Sequence, residues 1–212
     1  MLPPSHFALI LHLLMNNYKK MQEAARCRFL EYDYRSLCGR SGITPGENGI
    51  TTRFLGQKVE IARETGSITV GGHPAGFGES LTLYDWLCDS KPGACATNRF
   101  CKINSLPGVL VSGSNLELNG DSVAPLIAQN REKFLRLCSQ MNGEVTSGAD
   151  LAVVIWPLPD LPMLLKFYEA DEDFPATLAL LWDENILQFM RYETVYYLAG
   201  CLISRIRMAL QD

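Results

Sequence analysis

Three nearly unbroken apolar runs, Leu151 to Trp156, Met163 to Tyr168 and Ala176 to Trp182, mark the C-terminal third of the chain as a set of strands. Runs without polar alternation belong to a sheet covered on both faces, by helices or by other strands. Asp183 is placed to cap a short helix through Phe189. The final helix sets Val195, Leu198, Ala199, Leu202, Ile206 and Leu210 on one stripe, with Arg205 and Arg207 near its C-terminal end, where the helix dipole favours cations. Upstream, residues 7–36 read as a helix ended by Gly39, Gly42, Pro45 and Gly46. Short β-branched runs at 50–55, 58–61 and 67–70, separated by Gly56-Gln57 and by residues 64–66, read as a meander of hairpins. The stretch Gly71-Gly72-His73-Pro74 breaks that pattern. Ser80 then caps a helix running to Asp89, which Lys91, Pro92 and Gly93 stop. Residues 100–103 suggest a strand. Asp121 or Ser122 caps a further helix with Ile127, Phe134, Cys138 and Met141 on one face, closed by Asn142-Gly143.

Strands in groups, with helices between and after them, point to an α+β fold. The expectation is an antiparallel β-sheet with helices packed on it, and a C-terminal three-strand meander followed by a long amphipathic helix. Residues 1–16 form an N-terminal extension or the first turns of a helix, and residues 17–212 a single α+β domain. The glycine-rich stretch 104–121 is the only candidate boundary within it. At 212 residues the chain buries roughly 70% of its unfolded surface and needs no covalent staples.

Charge narrows the partners. The net charge of −4, without a basic stripe, argues against nucleic acid. The acidity is local, since residues 160–193 hold eight acids and two bases. Phe7 to Met15 is apolar apart from His12, but far shorter than the ~20 residues of a membrane span. Lys19 and Lys20 follow it, the wrong flank for a secretory signal. The seven cysteines are odd in number and form no CxxC, so the simplest reading is reduced thiols in a cytoplasmic protein.

The sharpest cluster of candidate chemistry is the acidic turn at 169–175. Glu169, Asp171, Glu172 and Asp173, with Asp160, Asp183 and Glu184, offer oxygen ligands for a hard cation or an acid–base pair. A turn between two apolar strands must also be polar, so a solvated turn is the commoner explanation, and the order fits no EF-hand loop. His73 lies in a glycine-rich segment, Gly-Gly-His-Pro-Ala-Gly-Phe-Gly, that lacks both the P-loop and the dinucleotide spacing. Cys88, Cys95 and Cys101 lie close in sequence at spacings of no common metal site. The aromatics Tyr84, Trp86, Trp156, Phe167, Tyr168, Trp182, Phe189, Tyr192, Tyr196 and Tyr197, concentrated in helix faces and strands, could line a pocket for a planar ligand but are more often core. No nucleophile elbow occurs, and no cofactor is evident.

Several phrases, taken in order, carry a resemblance. They are Asn17-Tyr18, Phe54-Leu-Gly56, Leu83-Tyr-Asp-Trp-Leu-Cys88, Ile103-Asn-Ser-Leu-Pro-Gly-Val109, Ala170-Asp-Glu-Asp-Phe-Pro175, and Leu181-Trp-Asp-Glu-Asn185 followed by Gln188-Phe-Met-Arg-Tyr-Glu193. Together they resemble domain of unknown function 3786, an uncharacterised family of anaerobic bacteria and archaea, from about residue 17 to the C-terminus. Some members of that family look like appendages to an iron–sulfur domain, but this chain has no such cysteine-rich region. The resemblance transfers no catalytic residue. It does draw attention to Asp171, Glu172, Asp173 and Asp183, which belong to its phrases.

The functional expectation is a non-catalytic cytoplasmic accessory or small-ligand-binding module, with a homodimer as a possible assembly and an unidentified small molecule or protein as partner. The alternatives are a metal-assisted enzyme using the acidic turn, with or without His73, and a pure protein-interaction subunit.

Overall fold

The computed structural model describes residues 4–106 and 120–211, and the side chains of residues 17–106 and 120–211. The candidate boundary at 104–121 and the side chains of the apolar run at 7–15 therefore lie largely or wholly outside the described residues. Among those described, the chain is α+β, with seven α-helices and two antiparallel five-stranded sheets.

The N-terminal half begins with α1 (Pro4–Glu31) and α2 (Tyr34–Cys38). The single helix expected over 7–36 is broken at Asp33, whose carboxylate accepts from the Arg35 amide at 3.1 Å and the Ser36 hydroxyl at 2.7 Å and so caps α2. Then follow β1 (Thr44–Gly46), β2 (Gly49–Phe54), β3 (Gln57–Ala62), β4 (Ile68–Val70) and β5 (His73–Pro74), paired in chain order. This is the expected meander, extended by one short strand at each edge. Its faces divide cleanly. Ile50, Thr52, Phe54, Val59, Ile61, Ile68 and Val70 are buried, while the alternate positions meet solvent.

Next is α3 (Phe77–Asp89), which begins three residues before the expected cap. Glu79 reaches back to the Gly76 amide at 2.7 Å, so Gly76 starts the helix. Ser80 is buried instead, accepting from the Gln22 side chain at 2.9 Å. All eight residues from Ser80 to Leu87 are buried, because α1 packs on one side of α3 and α7 (Tyr192–Gln211) on the other.

The second sheet has the order β6-β10-β9-β8-β7, from β6 (Phe100–Cys101), β7 (Glu144–Thr146), β8 (Leu151–Leu158), β9 (Leu161–Tyr168) and β10 (Thr177–Asp183). The three apolar runs thus form its centre, as the pattern required. The helix expected after residue 121 is a 3₁₀ turn at 121–123, then α4 (Ala124–Gln129) and α5 (Arg131–Gln140), parted at Asn130 with φ −134° and ψ 41°. Ile127, Phe134, Cys138 and Met141 are all buried, and so is the whole predicted stripe of α7.

The described helices cover one face of this sheet. Its inner face, Leu151, Val153, Ile155, Met163, Leu165, Phe167, Leu178, Leu180 and Trp182, is buried and joins the common core, with α4 on β10 and α5 on β8. The opposite face is partly covered, with Ala152 and Asp183 fully buried on it. Val154, Trp156, Leu164, Ala179 and Leu181 are only half-buried and none belongs to, or packs against, that core.

The two sheets are tied together at the β2–β3 turn. Leu55 (φ 48°) and Gly56 (φ 78°) form a left-handed two-residue turn of the type that suits tight hairpins. The Leu55 amide donates to the Pro157 carbonyl at 2.8 Å, at the irregularity of β8 between Ile155 and Leu158.

A polar cluster fixes the three principal helices. Asp85, 6% exposed, accepts from the Arg28 guanidinium of α1 and from the Thr194 hydroxyl of α7. Arg28 also lies 3.5 Å from Asp89, which pairs with Arg191 at 2.8 Å. Asp85→Ala removes the shared acceptor of Arg28 and Thr194 but leaves Arg28 partly in water and beside Asp89, so it should cost about 1–3 kcal/mol, read by urea unfolding, and Arg28→Met with Asp85→Leu should recover much of it. Equal losses in the single and double variants would contradict this account.

Candidate functional site

A cleft of about 600 Å³ opens between the N-terminal sheet and α7. Leu55 and Val70 give it an apolar floor. One wall is the stretch His73 to Glu79, and the other is the face of α7 carrying Tyr197, Cys201, Ser204, Arg205 and Met208. This mixture, an apolar floor with a few convergent polar groups, is the usual make-up of a small-molecule site.

The glycine-rich segment singled out in the sequence builds one wall, and each glycine has a local reason. Gly71 (φ 58°) and Gly72 (φ 85°) make the tight turn between β4 and β5. Gly78 lets α3 approach α7, since a Cβ there would stand 3.1 Å from the Cys201 sulfur. The segment is a turn and a helix start, and His73 sits exposed on an edge strand at the rim of the cleft.

On the opposite wall, Gly200 is different. It lies in the middle of the 20-residue helix α7, and nothing stands within 4 Å of where its Cβ would be. Glycine in a helix interior costs roughly 0.5–1 kcal/mol relative to alanine, and no close approach or left-handed backbone requires it here. A Cβ there would project into open space beside the cleft. Arg205 reaches the Gln140 side chain at 3.3 Å through one terminal nitrogen, while its Nε is buried without a hydrogen-bond partner. Tyr196 is hydrogen-bonded to Tyr192 at 2.7 Å. Desolvation, followed by the Tyr192 bond, pushes its phenol up to about 12. The Tyr197 ring packs edge-on against Phe77 at 5.2 Å, and Phe77 against Tyr18 at 4.7 Å.

All seven cysteines are free thiols. Burial pushes Cys201 up to about 12, Cys138 to about 12 and Cys88 to about 11, so these three are protonated near neutral pH and are poor nucleophiles. Burial, followed by the nearby Glu184 and Asp183 charges, raises Cys101 as well. Cys88 lies on α3, Cys101 on β6 and Cys95 exposed in the loop between them.

The carboxylates singled out in the sequence lie in three places, Asp160 being in the β8–β9 turn. Glu169, Asp171, Glu172 and Asp173 are exposed in the β9–β10 turn. Asp171 accepts from the amides of Asp173 at 2.9 Å and Phe174 at 2.8 Å, as a turn-forming aspartate does. Glu169 pairs with Arg131 at 2.7 Å. Asp183 is at the far end of β10 and fully buried, about 20 Å away at ~3.3 Å per residue. Among the described residues, no three or more His, Cys, Asp or Glu side chains gather as a metal site would need.

Asp183 is a strand residue rather than the cap of the next helix. The helix α6 (Ile186–Phe189) is preceded by Asn185. The Asp183 carboxylate accepts from the amides of Thr97 at 2.9 Å, Asn98 at 2.7 Å and Asn185 at 2.9 Å, and from the Thr97 hydroxyl at 3.2 Å. Asn98 takes φ 56° to present its amide. This carboxylate pins the loop after α3 to the second sheet.

A second fastening holds the C-terminal end of α3. Arg40 donates to the carbonyls of Trp86 at 2.7 Å and Leu87 at 3.0 Å, and its guanidinium lies 4.7 Å from the Trp86 ring centre. The Trp86 indole N–H donates to Asp160 at 2.8 Å. Sequence reading found neither this cluster nor the cleft, because both join residues far apart in the chain.

Asp183→Ala removes a charged acceptor from three amides and should cost about 2–4 kcal/mol in urea unfolding. Asp171→Ala, on an exposed turn, should cost under about 1 kcal/mol. A reversed order would overturn the division between clamp and solvated turn.

Among the described residues, no helix is long and apolar enough to cross a membrane. No curated protein and no solved structure matches the chain significantly. Residues 33–205, well over half of the sequence, match a family described as a domain of unknown function, DUF3786. The chain belongs to that family.

Proposed function

We propose that this protein is a non-catalytic module of the cytoplasm that binds a small molecule in the cleft between the N-terminal sheet and α7. The observation that carries the reading is Gly200. Glycine there lowers helix stability and relieves no clash, and its evident effect is to keep space open in a groove with polar groups at its rim. The free thiols fit a reducing compartment.

The cleft also suggests a chemical class. Arg205 brings a fixed cation with a buried, unpartnered Nε, and His73 offers a second polar group at the other rim. The floor is apolar. A ligand with an aliphatic or aromatic body and a carboxylate matches these surfaces, the carboxylate meeting Arg205 and the body lying over Leu55 and Val70. The alternative of a metal-assisted enzyme at the acidic turn has less support, because Asp171 and Glu169 are engaged with their own turn and with Arg131.

A panel of small aromatic and aliphatic carboxylates tests the reading by thermal shift. At least one should raise Tm. Arg205→Gln should weaken that ligand about 10-fold. Gly200→Phe should abolish its binding while leaving the apo protein as stable as before or more so. No shift with any carboxylate, or a shift that survives in Gly200→Phe, would refute it. Calorimetry with magnesium, manganese and calcium should give no binding heat that Asp171→Asn removes; such heat would revive the metal-assisted alternative.

A further inference from the structure

The cleft between the N-terminal sheet and α7 carries two opposite charges that the described residues leave unpaired. Arg205 stands on the α7 wall, half-buried, and its guanidinium meets the Gln140 side chain. Glu79 stands on the opposite wall, in the first turn of α3, and is also half-buried. One of its oxygens, Oε2, accepts from the Gly76 amide at 2.7 Å. The other, Oε1, has no hydrogen-bond partner among the described residues, and neither Glu79 nor Arg205 makes an ion pair with any of them. Capping accounts for only one of the two oxygens, and a glutamine serves in the same place.

The two charges are held apart. Gly78, the residue before Glu79, packs on α7 at the level of Tyr197 and Cys201: a Cβ there would lie 3.8 Å from the Tyr197 Cβ and 3.1 Å from the Cys201 sulfur. The Glu79 charge is felt at this level, where it adds to burial in raising the Cys201 thiol. Arg205 follows Cys201 by four residues and Tyr197 by eight on the same helix. At ~1.5 Å per residue its backbone lies about 6–12 Å farther along the cleft. One end of the cleft is thus anionic and the other cationic, and Leu55 and Val70 make the floor apolar.

We infer that the occupant of this cleft is an amino carboxylate with its two charges at opposite ends of an apolar body, the ammonium bound by Glu79 and the carboxylate by Arg205. This rests on the cleft being a site for small carboxylates, and it adds a second charge to the ligand. Each protein charge is already half desolvated, so a ligand group of opposite sign gains a charge-assisted hydrogen bond at little further cost. A plain carboxylic acid leaves Glu79 facing an apolar end, which strips water from the carboxylate and returns nothing. A diamine meets repulsion at Arg205, and a dicarboxylate meets it at Glu79. An α-amino acid carries both charges on one carbon, too close together to meet both walls. The cleft therefore selects by mismatch as well as by attraction.

The test is calorimetric titration of the full chain with matched pairs of ligands. Para-aminomethylbenzoate is compared with para-ethylbenzoate, and terminal aminohexanoate with heptanoate, so that within each pair only an ammonium replaces a methyl group. The amine of each pair should bind about 10-fold more tightly. Glu79→Gln, which keeps the cap, should bring each pair to within about 2-fold and leave the plain carboxylate unchanged. Arg205→Gln should weaken both members alike. Phenylalanine should gain nothing over phenylpropanoate. If Glu79→Gln fails to fold, the wild type answers by itself: para-hydroxymethylbenzoate, of the same size but neutral, should bind no better than the ethyl compound. An amine with no advantage, an advantage that survives Glu79→Gln, a gain with phenylalanine, or a hydroxymethyl compound equal to the aminomethyl one would each overturn the inference and leave the carboxylate reading standing. Binding by no member of any pair would overturn that reading, and the inference with it.

Discussion

The rest of the structure depends on a helix with no free side. Eight consecutive buried residues of α3 must satisfy neighbours all round, and its Asp85 carboxylate must find donors inside the protein. Arg28 and Thr194 supply them. That fixes the rotation of α1 and α7 about α3, since a turned helix would carry its donor away. At the other end of α3, Gly78 sets how closely α7 may approach, against the Cys201 sulfur. The cleft lies along this same contact, so its width is fixed by core packing and not by a loop.

The two sheets answer to solvent in opposite ways. In the first, charged and hydroxylated residues alternate with buried ones, and the outer face is complete as it stands. In the second, apolar residues occupy nearly every position on both faces of the central strands, and the described helices roof one of those faces. The acidic turn keeps its polar character because it leaves the sheet entirely and is held by its own backbone amides.

Much of the architecture was legible because periodicity is local. The three C-terminal strands, the hairpin meander and the stripe of α7 follow from residues within a few positions of one another. The errors share a cause. Ser80 and Asp183 have the right chemistry for caps, but a tertiary partner claimed each: Gln22 for Ser80, and the amides of Thr97 and Asn98 for Asp183. The carboxylates near 171 and 183 looked like one cluster in sequence, and a seven-residue strand holds them apart. The cleft had one local sign, the glycine-rich stretch around His73. Its opposite wall lies more than a hundred residues onward, and only folding brings Arg205 and Gly200 to it.

The left-handed turn at Leu55 and Gly56 carries a mechanical corollary. Leu55 is part of the cleft floor, and its amide is bonded to Pro157, the residue after Trp156 in the second sheet. One residue thus does two jobs: its side chain closes the bottom of the cleft, and its peptide N–H fastens the first sheet to the second where β8 departs from regular pairing.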